Sequence, residues 1–167
     1  DVGYNNSKIS FALKAFAVNN KNQYSFYNDS NTIAKQKDAS YQQLSAMPEL
    51  KWLINKNNTL QGGVWLSKGL RHIPSFNTIS NRIQQIDESE RTSINWQYSQ
   101  NKILNYLKVA QFTERLNYSD SISRIDSKSN MLTRMIEDDL YIKWNNQHTL
   151  NLGFNYTKNQ GSTESYT

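Results

Sequence analysis

The sequence predicts an all-β protein, an antiparallel meander of about eight long strands forming part of an outer-membrane β-barrel. Three observations predict it. Apolar and polar residues alternate with a period of two in segment after segment, the connections alternate between short and long, and large aromatics stand beside the short turns. A period of two is the strand's own geometry, because successive side chains leave opposite faces of the backbone.

The elements follow in order. Lys8 to Val18 carries Ile9, Phe11 and Leu13 on one parity and Ser10 and Lys14 on the other. Tyr24 and Phe26 open its return strand, and Leu50, Trp52 and Ile54 mark the third. Within Thr59 to Leu70, Leu60, Val64 and Leu66 oppose Gln61, Gly63 and Ser67; within Ser93 to Ser99, Ile94, Trp96 and Tyr98 oppose Ser93, Asn95 and Gln97. Lys102 to Tyr118 is long and mixed on both faces, and Leu140, Ile142 and Trp144 end the seventh strand. The eighth alternates Leu150, Leu152, Phe154 and Tyr156 with Asn151, Gly153, Asn155 and Thr157.

Short polar turns fall at Asn19 to Asn22, Asn55 to Asn58, Ser99 to Lys102 and Asn145 to His148, where Asn tolerates the positive φ of tight hairpins. Long polar connections fall at about Asn28 to Ser40, Leu70 to Ser89 and Ser119 to Asn130. Short turns at one end and longer loops at the other are the habit of outer-membrane barrels. Phe16, Tyr24, Trp52, Trp96, Tyr98 and Trp144 lie near the short turns, where a membrane-interface girdle of aromatics belongs. An antiparallel sandwich would also alternate, but it gives no reason for the alternating loop lengths.

Composition narrows the function. The 167 residues suit one domain or a piece of a larger one. There is no Cys, hence no disulfide, thiolate site or cysteine nucleophile, and two His are too few for a His-rich metal centre. The mean hydropathy of -0.80 is that of a very polar chain, yet 12% aromatic residues argue against disorder. Polar character here is largely uncharged, with 22 Asn, so the formal charge of +5 is a poor argument for nucleic acid. No apolar run reaches the length of a spanning helix and no signal sequence opens the chain, but neither fact bears on a barrel.

Leu60 to Pro74 reads LQGGVWLSKGLRHIP, followed by Arg82, Gln84, Gln85 and Asp87 and then TSINWQYSQ. With LNYLKVAQFTERLNYSD and DDLYIKWNNQHTLNLGFNYTKNQ, these segments resemble the barrel of TonB-dependent outer-membrane receptors, particularly the Bacteroidetes-type receptors for cobalamin and related chelates. The resemblance spans nearly the whole chain. It implies that residues 1–167 are a partial barrel, an internal piece without plug domain, TonB box or terminal aromatic strand. It implies also a Gram-negative outer-membrane location and uptake of a scarce chelate, of the cobalamin or ferric-siderophore class. The expected partners are outer-membrane lipid, the small chelate, and, through the missing part, the plug domain and the periplasmic energy-coupling protein. Two alternatives stay open: a complete eight-stranded outer-membrane barrel, and a secreted all-β carbohydrate- or ligand-binding module.

Catalysis finds little support, and no cofactor, metal or nucleic acid is expected. Glu137, Asp138 and Asp139 are adjacent on a strand and so point to opposite faces, unable to converge on one bond. Trp65 has the opposite parity to Val64 and Leu66 and is expected to face the lumen. Arg71, His72, Arg82 and Asp87 flank or lie in the second long connection, where cations could meet an anionic chelate. With Trp65 they are the candidate ligand-binding residues. His148 sits in a turn and is read as structural.

Overall fold

A computed structural model describes residues 1–28, 30–74 and 83–166. Ten strands run through them: β1 (Val2–Asn5), β2 (Ile9–Asn20), β3 (Ser25–Tyr27), β4 (Ile33–Lys35), β5 (Tyr41–Asn55), β6 (Asn58–Ile73), β7 (Ile83–Gln100), β8 (Ile103–Asp120), β9 (Ile125–Lys143) and β10 (Thr149–Tyr166). Eight form one antiparallel sheet in the order β1-β2-β5-β6-β7-β8-β9-β10, and β3 pairs with β4 in a small separate hairpin. The chain is therefore an all-β meander, each sheet strand lying beside its neighbour in chain order.

Registers assign every side chain to a face. Trp52, Leu60, Trp96, Leu107, Asp138 and Phe154 are successive partners across β5 to β10, so they share one face. Lys51, Gln61, Asn95, Lys108, Glu137 and Asn155 form the neighbouring row on the other. The first face is apolar in the half of each strand next to the turns 56–57, 101–102 and 144–148, with Ile9, Phe11 and Leu13, then Leu50 to Ile54, Ile94 to Tyr98, and Leu150 to Tyr156. Beyond that band the same face becomes mixed, carrying Glu88, Glu90, Arg115, Lys128, Arg134 and Lys158 beside Leu44, Leu66, Ile86 and Leu132. The second face is polar for most of its length, although Phe112, Met131 and Met135 of β8 and β9 lie on it.

Among the described residues there is no second layer and no dry core. Ala110, 3% exposed, is the only hydrophobic side chain among the described residues that is fully withdrawn from solvent. Leu152 is 52% exposed, Phe154 60% and Leu44 65%. Apolar residues alternate as they would over a core, but here they face outward.

Side chains build the turns. The Asn55 Oδ1 accepts from the amides of Asn57 and Asn58 at 2.9 and 3.0 Å, and the Asn145 Oδ1 from those of Gln147 and His148 at 2.8 and 2.9 Å. Asn6 does the same for Lys8 and Ile9, and Asp120 for Ile122 and Ser123. A short carboxyl or amide side chain bonding the backbone two or three residues on is what lets a strand reverse tightly. Asn101 takes the left-handed conformation, φ 49°, in the turn from β7 to β8.

Four expectations are corrected. Tyr24 and Phe26 do not open a return strand: Phe26 belongs to the β3–β4 hairpin, whereas β2 pairs with β5. The eighth strand of the sheet is instead β1, too short and polar to have declared itself. The turn at Asn19 to Asn22 lies at the opposite end of the sheet from the other short turns, opening the connection 21–40. The stretch Ser119 to Asn130 is not a long connection but the tight turn 121–124 between two strands that continue beyond their apolar parts. The connection at Leu70 to Ser89 is likewise shortened, since β6 reaches Ile73 and β7 resumes at Ile83.

Candidate functional site on the polar face

The polar face bends around a hollow of about 740 Å³ whose lining runs from Tyr41 and Gln43 of β5 to Thr163 of β10. In a flat sheet those strands would stand roughly 24 Å apart, at ~4.8 Å per strand. A single hollow lined by both requires that the sheet curl toward this face.

Arg91 is the central charge of the hollow. It lies directly opposite Trp65 in the register, its guanidinium 4.6 Å from the indole centroid and 6.0 Å from that of Phe112. One nitrogen meets the Glu114 carboxylate at 2.6 Å. A guanidinium over an indole is held by the ring's negative face, which fixes the cation without neutralising it. The Trp65 Nε1 and the nearby Ser89 Oγ are shielded from solvent and have no hydrogen-bond partner among the described residues. A shielded donor without an acceptor is costly, so this spot suits a group able to accept from the indole.

A second charged pair sits further along the strands. Arg71 reaches Asp87 at 3.5 Å and lies 5.9 Å from the Tyr41 ring centroid, and Gln85 donates to Asp87 at 2.7 Å. Between the pairs runs an uncharged chain: Tyr41 donates to Gln43 at 2.6 Å, Gln43 to Ser67 at 3.0 Å, and Ser45 to Ser67 at 2.8 Å. Ser45, Ser67 and Ser89 are successive partners across β5, β6 and β7. Their small side chains leave the room that the hollow occupies.

Of the candidate ligand-binding residues, Trp65, Arg71 and Asp87 come together on the polar face. His72 does not join them. Its Nδ1 lies 2.8 Å from the Ser40 Oγ and its amide donates to the Ser40 carbonyl, so Arg71 and His72 have separate partners. Arg82 lies outside the described residues. Arg91, Glu114 and Tyr41 were not singled out from the sequence. Trp65 was, and the residue facing it follows once the pairing of β6 with β7 is known; a single sequence does not supply that register across a connection of this length.

The acidic run splits as strand geometry requires. Glu137 takes Lys108 at 3.3 Å and Asn155 at 3.0 Å on the polar face, while Asp138 accepts from Asn105 at 2.7 Å on the apolar face. Among the described residues no three His, Asp or Glu side chains cluster as a metal site would need. His148 bonds Asn145 within its turn, at 3.1 Å.

The girdle aromatics divide. Trp52, Trp96 and Tyr98 stand on the apolar face near the turn after Asn55, with the Trp96 Nε1 donating to the Asn58 Oδ1 at 3.1 Å and the Trp96 and Tyr98 rings 6.1 Å apart. Trp144, 73% exposed, follows β9 in its turn. Phe16 and Tyr24 are corrected: Phe16 pairs with Ser45 on the polar face, and Tyr24 stacks edge-on with Phe26 beside the small hairpin, away from those turns. Neither a protein-family model nor a curated protein sequence matches the chain.

Proposed function

We propose that the chain is part of the wall of an outer-membrane β-barrel of the receptor type that takes up a scarce chelate, and that it does no catalysis of its own. The observation that carries this reading is the uncovered apolar band on one face of a single-layer sheet. Burying apolar surface is what holds a water-soluble domain together, and these strands bury almost none. Along the strands the band measures roughly 20–33 Å at ~3.3 Å per residue, and a barrel strand's tilt brings that close to the ~25 Å outer belt of barrels in lipid. Lipid supplies the missing cover.

The receptor part of the reading rests on the resemblance of the sequence and on the hollow, where Trp65, Arg91 and Arg71 offer an aromatic face and two cations to an anionic chelate. A complete eight-stranded barrel would join β1 to β10, but in the sheet β1 pairs only with β2 and β10 only with β9. A sandwich-type binding module would need a second sheet over the apolar face, and among the described residues the only other sheet is the three-residue pairing of β3 with β4.

The test uses the gene-encoded protein in a Gram-negative host. These 167 residues have no Cys, so single cysteines at Leu152 and Asn151, with any cysteine elsewhere in the protein replaced by Ser, carry unique probes. A probe at Leu152 is expected to be quenched by nitroxide lipid and one at Asn151 to be spared; equal access of both to water would overturn the membrane assignment. Uptake of cyanocobalamin and of a ferric siderophore, compared between the native protein and Arg91→Ala, tests the receptor assignment separately. Unchanged uptake of both would overturn it.

A further inference from the structure

On the outer face, just past the apolar band, two cations stand directly opposite one another. Arg134 of β9 and Lys158 of β10 are register partners, which sets their Cβ atoms about 4.5–5.5 Å apart. Both are exposed. Like charges in that position repel, and sheets normally avoid the arrangement or answer it with a carboxylate.

No carboxylate of the described residues answers it. Arg134 donates through Nε to the Oε1 of Gln111 on β8 at 3.1 Å, a neutral partner. The other charges on this face of β6 to β10 are engaged or stand elsewhere, with Asp126 at the far end of β9. Lys68 and Arg115 share Glu88 at 2.6 and 4.0 Å, Lys128 stands opposite Glu164, and Asp138 is bonded to Asn105 lower in the band. Glu90 is on β7, two strands from Arg134 and level with the next row. Among the described residues neither Arg134 nor Lys158 has an ion-pair partner.

The row beneath the two cations, toward the short turns, is Val109, Ile136 and Tyr156. An apolar wall that ends under a pair of unanswered cations matches a lipid, whose acyl chains lie along the wall while its phosphate meets the charges. Arg offers two parallel donors to phosphate oxygens and Lys a mobile third. We propose that Arg134 and Lys158, with Gln111 orienting the guanidinium, bind the phosphate of an outer-leaflet glycolipid. This rests on the outer-membrane reading above, which sets the band in lipid with the longer connections outside.

The experiment measures binding of bis-phosphorylated lipid A to the gene-encoded protein purified in detergent. Its comparison arms are fully dephosphorylated lipid A and inorganic phosphate. The expected result is that Arg134→Gln with Lys158→Gln weakens lipid A binding about tenfold, that Lys68→Gln changes it less than twofold, and that neither comparison ligand binds measurably. Equal affinity of the native and doubly substituted proteins overturns the site. Inorganic phosphate binding as tightly as lipid A overturns the lipid assignment. Flotation of both proteins with outer membranes separates the two readings: proteins that float but bind lipid A alike refute this site alone, while a native protein that does not float refutes the membrane reading and the site with it.

Discussion

Leu152 and Gln160 lie on the same face of the same strand, and between them the chemistry of the surface inverts. Near the short turns this face carries Ile, Leu, Phe and Trp with few polar interruptions; further along, Lys, Arg, Glu, Gln and Ser interrupt the apolar residues, and on β10 they replace them altogether until Tyr166. The backbone does not register the change, since β9 and β10 stay paired from Thr149 and Lys143 to Tyr166 and Asp126. The two halves thus hold together by different means. Backbone pairing is common to both, but the lower half presents bare apolar side chains, while the upper half adds side-chain ion pairs such as Lys68 and Arg115 with Glu88.

The difference can be broken most severely by a charge in the lower half. On the membrane reading proposed above, Leu152→Arg is expected to cost about 2–4 kcal/mol, the usual penalty for a cation facing mid-membrane, whereas Gln160→Arg on the same face is expected to be near neutral. Urea unfolding of the protein reconstituted in lipid bilayers reads both; equal costs would erase the distinction between the halves. A smaller effect should follow Asn105→Leu. Asp138 is the one carboxylate within the apolar band, and losing its 2.7 Å donor should destabilise by about 1–3 kcal/mol, with Asp138→Leu in addition restoring most of the loss.

Within the hollow, Arg91→Ala removes an exposed ion pair and a cation over two rings, and about 1 kcal/mol is the expected loss after allowing for solvent screening. Arg91→Lys should recover only part of it, because the ammonium lacks the flat face that stacks on Trp65. The smallest effect belongs to the far end of the upper half. Hydrogen bonds from Ser123 and the Ile122 amide hold the Asp120 carboxyl below its ordinary value of 3.8. A lowered folded-state value means that the charged form favours the turn. Its contribution is complete above the ordinary carboxylate range and is lost as pH falls below 3.8 through the lowered value. Amide exchange at Ile122 and Ser123 should therefore speed up at acid pH beyond the intrinsic trend, and Asp120→Asn should make the extra acceleration vanish.

Legibility from sequence followed the same division. Parity is readable where one face is apolar and the other polar, so Thr59 to Leu70, Ser93 to Ser99 and Leu150 to Tyr156 were correctly sided from the residues alone. Where both faces are solvated the alternation has nothing to contrast. Ser119 to Asn130 reads as a loop for that reason, although most of it is strand. β8 was blurred for the opposite cause: Phe112 and Leu116 bring apolar residues to the polar face. The candidate site was half legible. Trp65 declared itself by parity, but Arg91 and Glu114 belong to it only through register, which is a property of pairs of strands and not of either one.

The joint between β2 and β5 has a kinetic meaning. Every other pairing in the large sheet joins strands that follow one another directly in the chain, but this one must first bring together the ends of the segment 21–40, with the β3–β4 hairpin inside it. Closing a longer loop costs more chain entropy before any contact rewards it. Assembly from β5 to β10 can proceed as successive hairpins, each templating the next. The β1–β2 hairpin then joins as a unit across the one long closure, making that seam the last of the sheet to zip.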